Sequence, residues 1–452
     1  MKILIIGGVA SGTSVAAKAR RNDENAQIII YDKDVDISYS VCGIPYAVGG
    51  EVDDFDQLTP RTPAFFKSKY NVDVYIGHEI TKINHEKKEV YGTNLLTGEP
   101  FSNNYDILVF ATGSRYHTPK AFVDRQCENF FRIKNITSGK TIQTYIAKTS
   151  PKTALIIGAG FIGLEMAEQL HRLGIKITLM TRGTVAMSHL DEDMAIRISD
   201  EMHKYNIACS KEEEVADVIW NEGKITQIVT TKGRTLEADL FIAATGVRPN
   251  VELAKSIGVK IGETGAIAVD SSMQTNLENV YAVGDCAETF NLITGKPAYH
   301  PMATTANKQG RIAGDAMTGG NSRHRGVLGT GILRFFDLTI AQTGLTQKQA
   351  EIEGFDPVIL FNEKPDKPNY MGGKKMMIKA IADKTSRRLL GVQIIGRQGV
   401  DKRVDVFAAL ITMNAKVDDL FHLDLAYAPP FSITKDPVIT TGMALTNALE
   451  RN

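Results

Sequence analysis

One pattern occurs twice in this chain and limits its fold more than any other feature. Lys2–Ile6 is a short apolar run. It is followed by Gly7-Gly8-Val9-Ala10-Ser11-Gly12, a helix-like stretch Ser14–Arg21 and a second apolar run, Gln27–Tyr31, ending at Asp32. The same plan returns as Thr153–Ile157, Gly158-Ala159-Gly160-Phe161-Ile162-Gly163, Leu164–Leu173 and Lys176–Met180. Each copy closes on a similar phrase, Tyr105 to Ala111-Thr112-Gly113 in the first and Ala238 to Ala244-Thr245-Gly246 in the second. Short apolar runs separated by a glycine turn and a helix read as strands of a parallel sheet. A duplicated strand, turn, helix and strand predicts two dinucleotide-binding units of βαβ type.

The two units are nested, because a later block, Thr275 to Ala287, resembles a return to the first. The expected fold class is α/β, with two nested Rossmann-like domains followed by an α+β domain. The first domain is expected to span 1–115 and 241–322, the second 116–240, and the last 323–452.

The glycines explain the chemistry. In the second motif Gly158 permits the tight turn, Gly160 lets backbone approach a pyrophosphate, and Gly163 allows close packing of helix on strand. Phosphates then sit at a helix start, where free N–H groups and the dipole favour anions. The first motif, Gly7 to Gly12, has Val9 where the middle glycine is expected. Asp32 ends the second strand, where a carboxylate can accept both hydroxyls of an adenosine ribose. The matching position of the second unit reads Met180-Thr181-Arg182. With no acid there and Arg182 available, a 2′-phosphate and hence NADPH is favoured, NADH being the alternative.

Composition removes several function classes. The 452 residues carry 52 Lys plus Arg and 52 Asp plus Glu, so no net charge points to nucleic acid or an anionic membrane. No apolar run has membrane-spanning length; Val406 to Met413 is too short and reads as buried core. Met1 to Ile6 is read as a first strand rather than a leader. Cys42, Cys127, Cys209 and Cys286 lack metal-site or disulfide-framework spacing, which fits a reducing cytoplasm and predicts no metal centre.

Cys42 stands ten residues after Asp32, in Ser38-Tyr39-Ser40-Val41-Cys42-Gly43-Ile44-Pro45-Tyr46. Gly43 and Pro45 place it at a predicted helix start, which favours the nucleophilic thiolate. This segment, with the two glycine turns, resembles the flavin-dependent pyridine-nucleotide disulfide oxidoreductases along essentially the whole chain. In one branch of that family a second cysteine follows five residues on; here that position is Ala47. The chain therefore resembles the single-cysteine branch of coenzyme A disulfide reductases, NADH oxidases, NADH peroxidases and polysulfide reductases.

The resemblance implies FAD and a nicotinamide dinucleotide as cofactors. Gly7, Gly8, Ala10, Gly12, Asp32, Lys33, Ala111, Thr112, Gly113 and Gly284 are expected around FAD, with Asp285 of Tyr281-Ala282-Val283-Gly284-Asp285 on its ribityl chain. Ala303 and Thr304 match the helix start facing the flavin pyrimidine. Gly158, Gly160, Phe161, Ile162, Gly163, Glu165, Arg182, Thr245 and Gly246 are expected around the nicotinamide cofactor, Phe161 and Glu165 beside the nicotinamide itself.

For the substrate, the oxidases and peroxidases typically carry a histidine where this chain has Ala10, which points away from them. Leu425-Ala426-Tyr427-Ala428-Pro429-Pro430-Phe431 resembles the coenzyme A disulfide reductases, in which one tyrosine, matched by Tyr427, reaches the other subunit's cysteine and a second, matched by Tyr370, assists. This implies a homodimer with a shared active site. Lys18 and Arg21 fall on one helix face at i, i+3. The resemblance places coenzyme A contacts there and at Ser14, Ser38, Asn307 and Lys435, while a further family lysine falls near Tyr70, with Lys69 adjacent. Three functions follow: a coenzyme A disulfide reductase (with the persulfide or polysulfide as variant substrate), an NADH oxidase or peroxidase, or a non-catalytic flavoprotein sensing redox state through Cys42.

Overall fold

A computed structural model describes residues 1–122 and 127–451. The first sheet is parallel, in the order Val280–Ala282, Ile107–Phe110, Lys2–Ile6, Gln27–Tyr31, Asp73–Tyr75. Ile107–Phe110 is buried throughout, as expected of a strand covered on both faces. The helix Ser11–Asn22 leaves the glycine turn and packs along the helix Ala303–Ala316. Side chains at Gly310 and Gly314 would press on the backbone of Ser11 and Val15, so two glycines set that close approach.

The second sheet is also parallel, in the order Ala208–Lys211, Lys176–Thr181, Thr153–Ile157, Leu240–Ala243, Phe130–Arg132. Leu240–Ala243 pairs with Thr153–Ile157, so the expected boundary at 241 falls inside a strand of the second sheet. The chain crosses between the units through the antiparallel pair Ser114–Tyr116 and Val247–Pro249. The returning block supplies the edge strand Val280–Ala282, which makes the two units nested.

The C-terminal domain is an antiparallel sheet in the order Gly331–Phe335, Leu338–Gly344, Leu389–Gly396, Lys375–Asp383, Pro357–Pro365. The helices Val400–Thr412 and Pro437–Arg451 complete it. The run Val406 to Met413 is not uniformly core. Phe407 and Ile411 are buried, but Met413 is 79% exposed, because a helix turns only its i, i+4 face inward. Among the described residues no helix is long and apolar enough to cross a membrane.

One apolar cluster joins all three domains. It contains Ile44, Ala47 and Phe55 of the first, Leu164 and Leu170 of the second, and Leu333 and Phe335 of the third. Beside it, Arg334 pairs with Glu51 and Glu168, and Arg172 with both of the same acids.

Candidate active site

The two glycine turns share one steric logic. A Cβ on Gly7 would lie 2.1 Å from the Ala111 carbonyl oxygen, and one on Gly158 2.2 Å from that of Ala244. A Cβ on Gly12 would lie 1.9 Å from the Gly7 oxygen, and one on Gly163 2.0 Å from the Gly158 oxygen. Gly160 differs, since its Cβ would meet no atom within 4 Å. The space beside it is free for a ligand. Both helices, Ser11–Asn22 capped by Ala10 and Phe161–Arg172 capped by Gly160, begin without a side-chain cap, as does Ala303–Ala316. Three helix starts thus keep N–H groups free for anions and polar rings.

Asp32 is buried at its strand end, where its carboxylate accepts from the Gly8 N–H at 2.6 Å and the Asp34 N–H at 2.9 Å. Burial pushes its carboxyl up to about 6. It braces the first turn directly. Lys33 is exposed, 3.7 Å from Glu79. Asp285 follows Gly284 at φ +76°, accepts from the Ser114 hydroxyl at 3.0 Å and is pushed up by burial. Thr112 donates to the Asn250 carbonyl at 2.8 Å and Thr245 to that of His117. Gly113 and Gly246 have φ of +65° and +92°, so each closing phrase ends on a residue only glycine adopts freely. Lys134 escaped the sequence reading. It belongs to the second unit by position, yet Asp32, Asp34 and Asp285 of the first unit act on its charge, while burial lowers its ammonium. No local motif marks it.

Cys42 lies in the turn Val41–Gly43, which runs into the helix Ile44–Val48 with Pro45 in its first turn. The thiol is open to solvent on one side and packed on the others. Burial pushes it up, and the charges of Glu165 and Asp285 add to that. The expected thiolate stabilisation by the helix start is thus outweighed in the protein alone: the helix is one turn long, and burial and the charges of two acids oppose ionisation. Ala47 is fully buried in the three-domain cluster.

Glu165 is the most perturbed acid near the thiol. Burial raises its carboxyl to about 7. The Tyr46 hydroxyl donates to Glu165 Oε1 at 3.4 Å, and Tyr46 is itself pushed up to about 12, chiefly by burial. The Arg334 guanidinium lies 5.3 Å from the Tyr46 ring centre. Tyr46 and Arg334 were not anticipated, because they reach the site from separate domains. Phe161 opens its helix with its ring 6.0 Å from His189, and Ile162 packs beside it on the core. Arg182 is exposed just past the strand end.

The expected substrate residues divide. Ser14 and Asn307 meet, the Ser14 hydroxyl donating to Asn307 Oδ1 at 2.7 Å. Ser38 holds φ +51° and donates its N–H to the Gly8 carbonyl at 2.9 Å, which fastens the cysteine loop to the first turn. Lys18 is already paired with Asp315 at 2.8 Å and donates to Asn22 at 3.0 Å. Arg21 is exposed over the Tyr70 ring at 5.9 Å, with Lys69 5.7 Å from the same ring. Lys435 is exposed. Tyr370 and Tyr427 stand on the outside of the C-terminal domain, 76% and 49% exposed, near Phe431 in sequence at 71%.

Residues 1–310 match the family model for pyridine nucleotide-disulphide oxidoreductases, and residues 332–437 match that family's dimerisation domain. The chain belongs to this family. A curated relative, the coenzyme A disulfide reductase of Staphylococcus epidermidis, is 34% identical over 98% of this chain and 99% of its own. An NADH oxidase of Methanocaldococcus jannaschii is 32% identical over 100% and 99%. The crystal structure of reduced Bacillus anthracis CoADR-RHD superposes with a TM-score of 0.95 at 34% identity, over 100% of this chain and 81% of that one. This family member is an NAD(P)H-dependent flavoprotein oxidoreductase. Its residues fit both cofactors. The opening beside Gly160, the three uncapped helix starts and the half-buried Asp285 are what two dinucleotides require.

Proposed function

We propose that this protein reduces coenzyme A disulfide with NAD(P)H through Cys42, the persulfide or polysulfide of coenzyme A being the variant substrate. The observation that carries the reading is a thiol with a solvent opening beside the Glu165 and Asp285 carboxylates, and a buried alanine, Ala47, where an internal disulfide partner would stand. Without that partner the substrate must supply the second sulfur.

Bound FAD would supply the two-electron link between the nicotinamide and the sulfur. Gly158, Gly160 and Gly163 would hold the NAD(P)H pyrophosphate, with Phe161 and Glu165 flanking its reactive ring. Gly7, Gly12, Asp32 and Asp285 would hold FAD. The Cys42 thiolate attacks one sulfur of the substrate disulfide, forming a mixed disulfide and expelling one coenzyme A thiolate. The phenols of Tyr427 and Tyr370, supplied across a homodimer, donate the proton that the leaving thiolate takes up. Two electrons and a proton from solvent then cleave the mixed disulfide, returning the Cys42 thiolate and the second coenzyme A thiol, and a second solvent proton restores the phenol. Ser14, Ser38, Asn307, Arg21 and Lys435 contact the coenzyme A. Lys18 joins them only by leaving Asp315.

Intact-mass measurement under denaturing, non-reducing conditions tests the reading. A thiol-sensitive adduct of coenzyme A size on Cys42 supports it. A Cys42→Ser variant reducing coenzyme A disulfide at full rate would sink it. The NADH oxidase relative motivates the second reading, whose signature is one added oxygen on Cys42 and rapid oxygen consumption.

A further inference from the structure

We infer that Arg403 is a positioning residue for the thiol chemistry, fixing the spacing of the two loops that present Tyr370 and Tyr427. This rests on the reading that both phenols serve Cys42 of the opposite subunit.

Arg403 lies on the helix Val400–Thr412 and is 1% exposed. A buried guanidinium is costly unless its donors are met. Here they are met by two separate loops. Nη2 donates to the Asp366 carbonyl at 2.9 Å. The same group donates to Ser432 Oγ at 3.1 Å and Asp436 Oδ2 at 2.8 Å, and Nε to Asp436 Oδ1 at 3.4 Å. Nη1 donates to the Gly399 carbonyl at 3.2 Å. Ser432 and Asp436 are buried as well, and Ser432 donates to Asp436 at 2.7 Å. A Cβ on Gly399 would lie 2.2 Å from Nη1, so the guanidinium is boxed in.

Each anchor closes a tyrosine loop. Asp366 exchanges hydrogen bonds with Lys374, N–H to carbonyl at 3.0 Å and carboxylate from N–H at 2.6 Å. That clamps the loop whose turn Asn369–Met371 carries Tyr370. Ser432 donates its N–H to the Ala428 carbonyl at 3.0 Å, which closes the turn next to Tyr427. Neither phenol has a hydrogen-bond partner among the described residues, so no polar contact outside the loops aims them. One planar fork with fixed donor directions therefore sets the distance between two exposed phenols.

The test uses the flavin-loaded dimer. Arg403→Lys keeps the charge against Asp436 but cannot bridge both loops. Reduction of the flavin by NAD(P)H is expected to stay within about two-fold, while disulfide turnover falls on the order of 10- to 100-fold, the scale of a misplaced catalytic group. Ser432→Ala, which cuts only the Tyr427 side, is expected to show a smaller loss of the same kind. It keeps the question open to experiment if Arg403→Lys fails to fold. Hybrid dimers then separate positioning from general damage. An Arg403→Lys (or Ser432→Ala) subunit paired with a Cys42→Ser subunit has one intact site, combining the first subunit's thiol with the second's tyrosines, and is expected to recover about half the wild-type turnover. A Tyr427→Phe subunit paired with Cys42→Ser is the control. Recovery in the control alone overturns the role of Arg403. No recovery in either removes the shared-site reading and the inference with it. Full turnover by the Arg403→Lys homodimer also overturns the inference.

Discussion

Glu165 sits where four influences meet: burial, the Tyr46 hydroxyl, and the charges of Glu168 and Arg334. Its carboxyl titrates at about 7, so it is protonated below neutrality and ionised above. On the proposed reading, hydride donation would leave positive charge on the nicotinamide, and an ionised Glu165 flanking that ring would stabilise it. The rate of flavin reduction by NAD(P)H is therefore expected to rise through about pH 7. Stopped-flow rates of Glu165→Gln should be flat over that range; an unchanged inflection would assign it to another group. Cys42 and Glu165 could be picked from the sequence because each stands at a fixed offset within a motif. Tyr46 could not, since its relevance depends on a carboxylate 119 positions away. Lys134 and Arg334 were missed for the same reason.

The glycine turns separate backbone necessity from ligand space. Gly163 and Gly160 belong to one motif and look alike as letters, but only Gly163 is pressed against backbone, at 2.0 Å. Gly163→Ala is expected to destabilise the second domain by roughly 1–3 kcal/mol, the usual cost of forcing atoms into a filled site. Gly160→Ala should melt as wild type does and raise KM for NAD(P)H about ten-fold, since the methyl would occupy the pyrophosphate's space. Thermal melts and initial rates on the two variants check this. Equal melting temperatures would show that the steric distinction has no consequence. The strands Lys2–Ile6, Gln27–Tyr31 and Thr153–Ile157 agree with the sequence reading to the residue. Both helices start earlier than expected, at Ser11 and Phe161, because the glycine turns already belong to their first turns.

At the scale of the whole molecule, Glu51 and Arg334 tie the first domain to the third. The Arg334 hydrogen bonds hold the Glu51 carboxyl down at about 2, below its ordinary 4.5. A depressed acid contributes stability that is complete above 4.5 and disappears as pH falls toward about 2. Glu51→Gln is therefore expected to be less stable than wild type at pH 6 and to lose less on acidification, as followed by thermal melts between pH 6 and 3. Parallel loss in the two proteins would remove the pair from the account. The exposed Tyr370, Tyr427 and Phe431 on a domain matched as a dimerisation domain predict a dimer by sedimentation. By itself, the sequence determined the nested βαβ units, the glycine turns and the placing of Cys42 with Ala47 five residues on, since strand and turn signals are written in neighbouring residues. Only the tertiary structure decided that Lys18 is held by Asp315, that Glu165 answers to Tyr46 and Arg334, and that one guanidinium braces both tyrosine loops. Those contacts join residues tens to hundreds of positions apart, and packing alone brings them within hydrogen-bond reach.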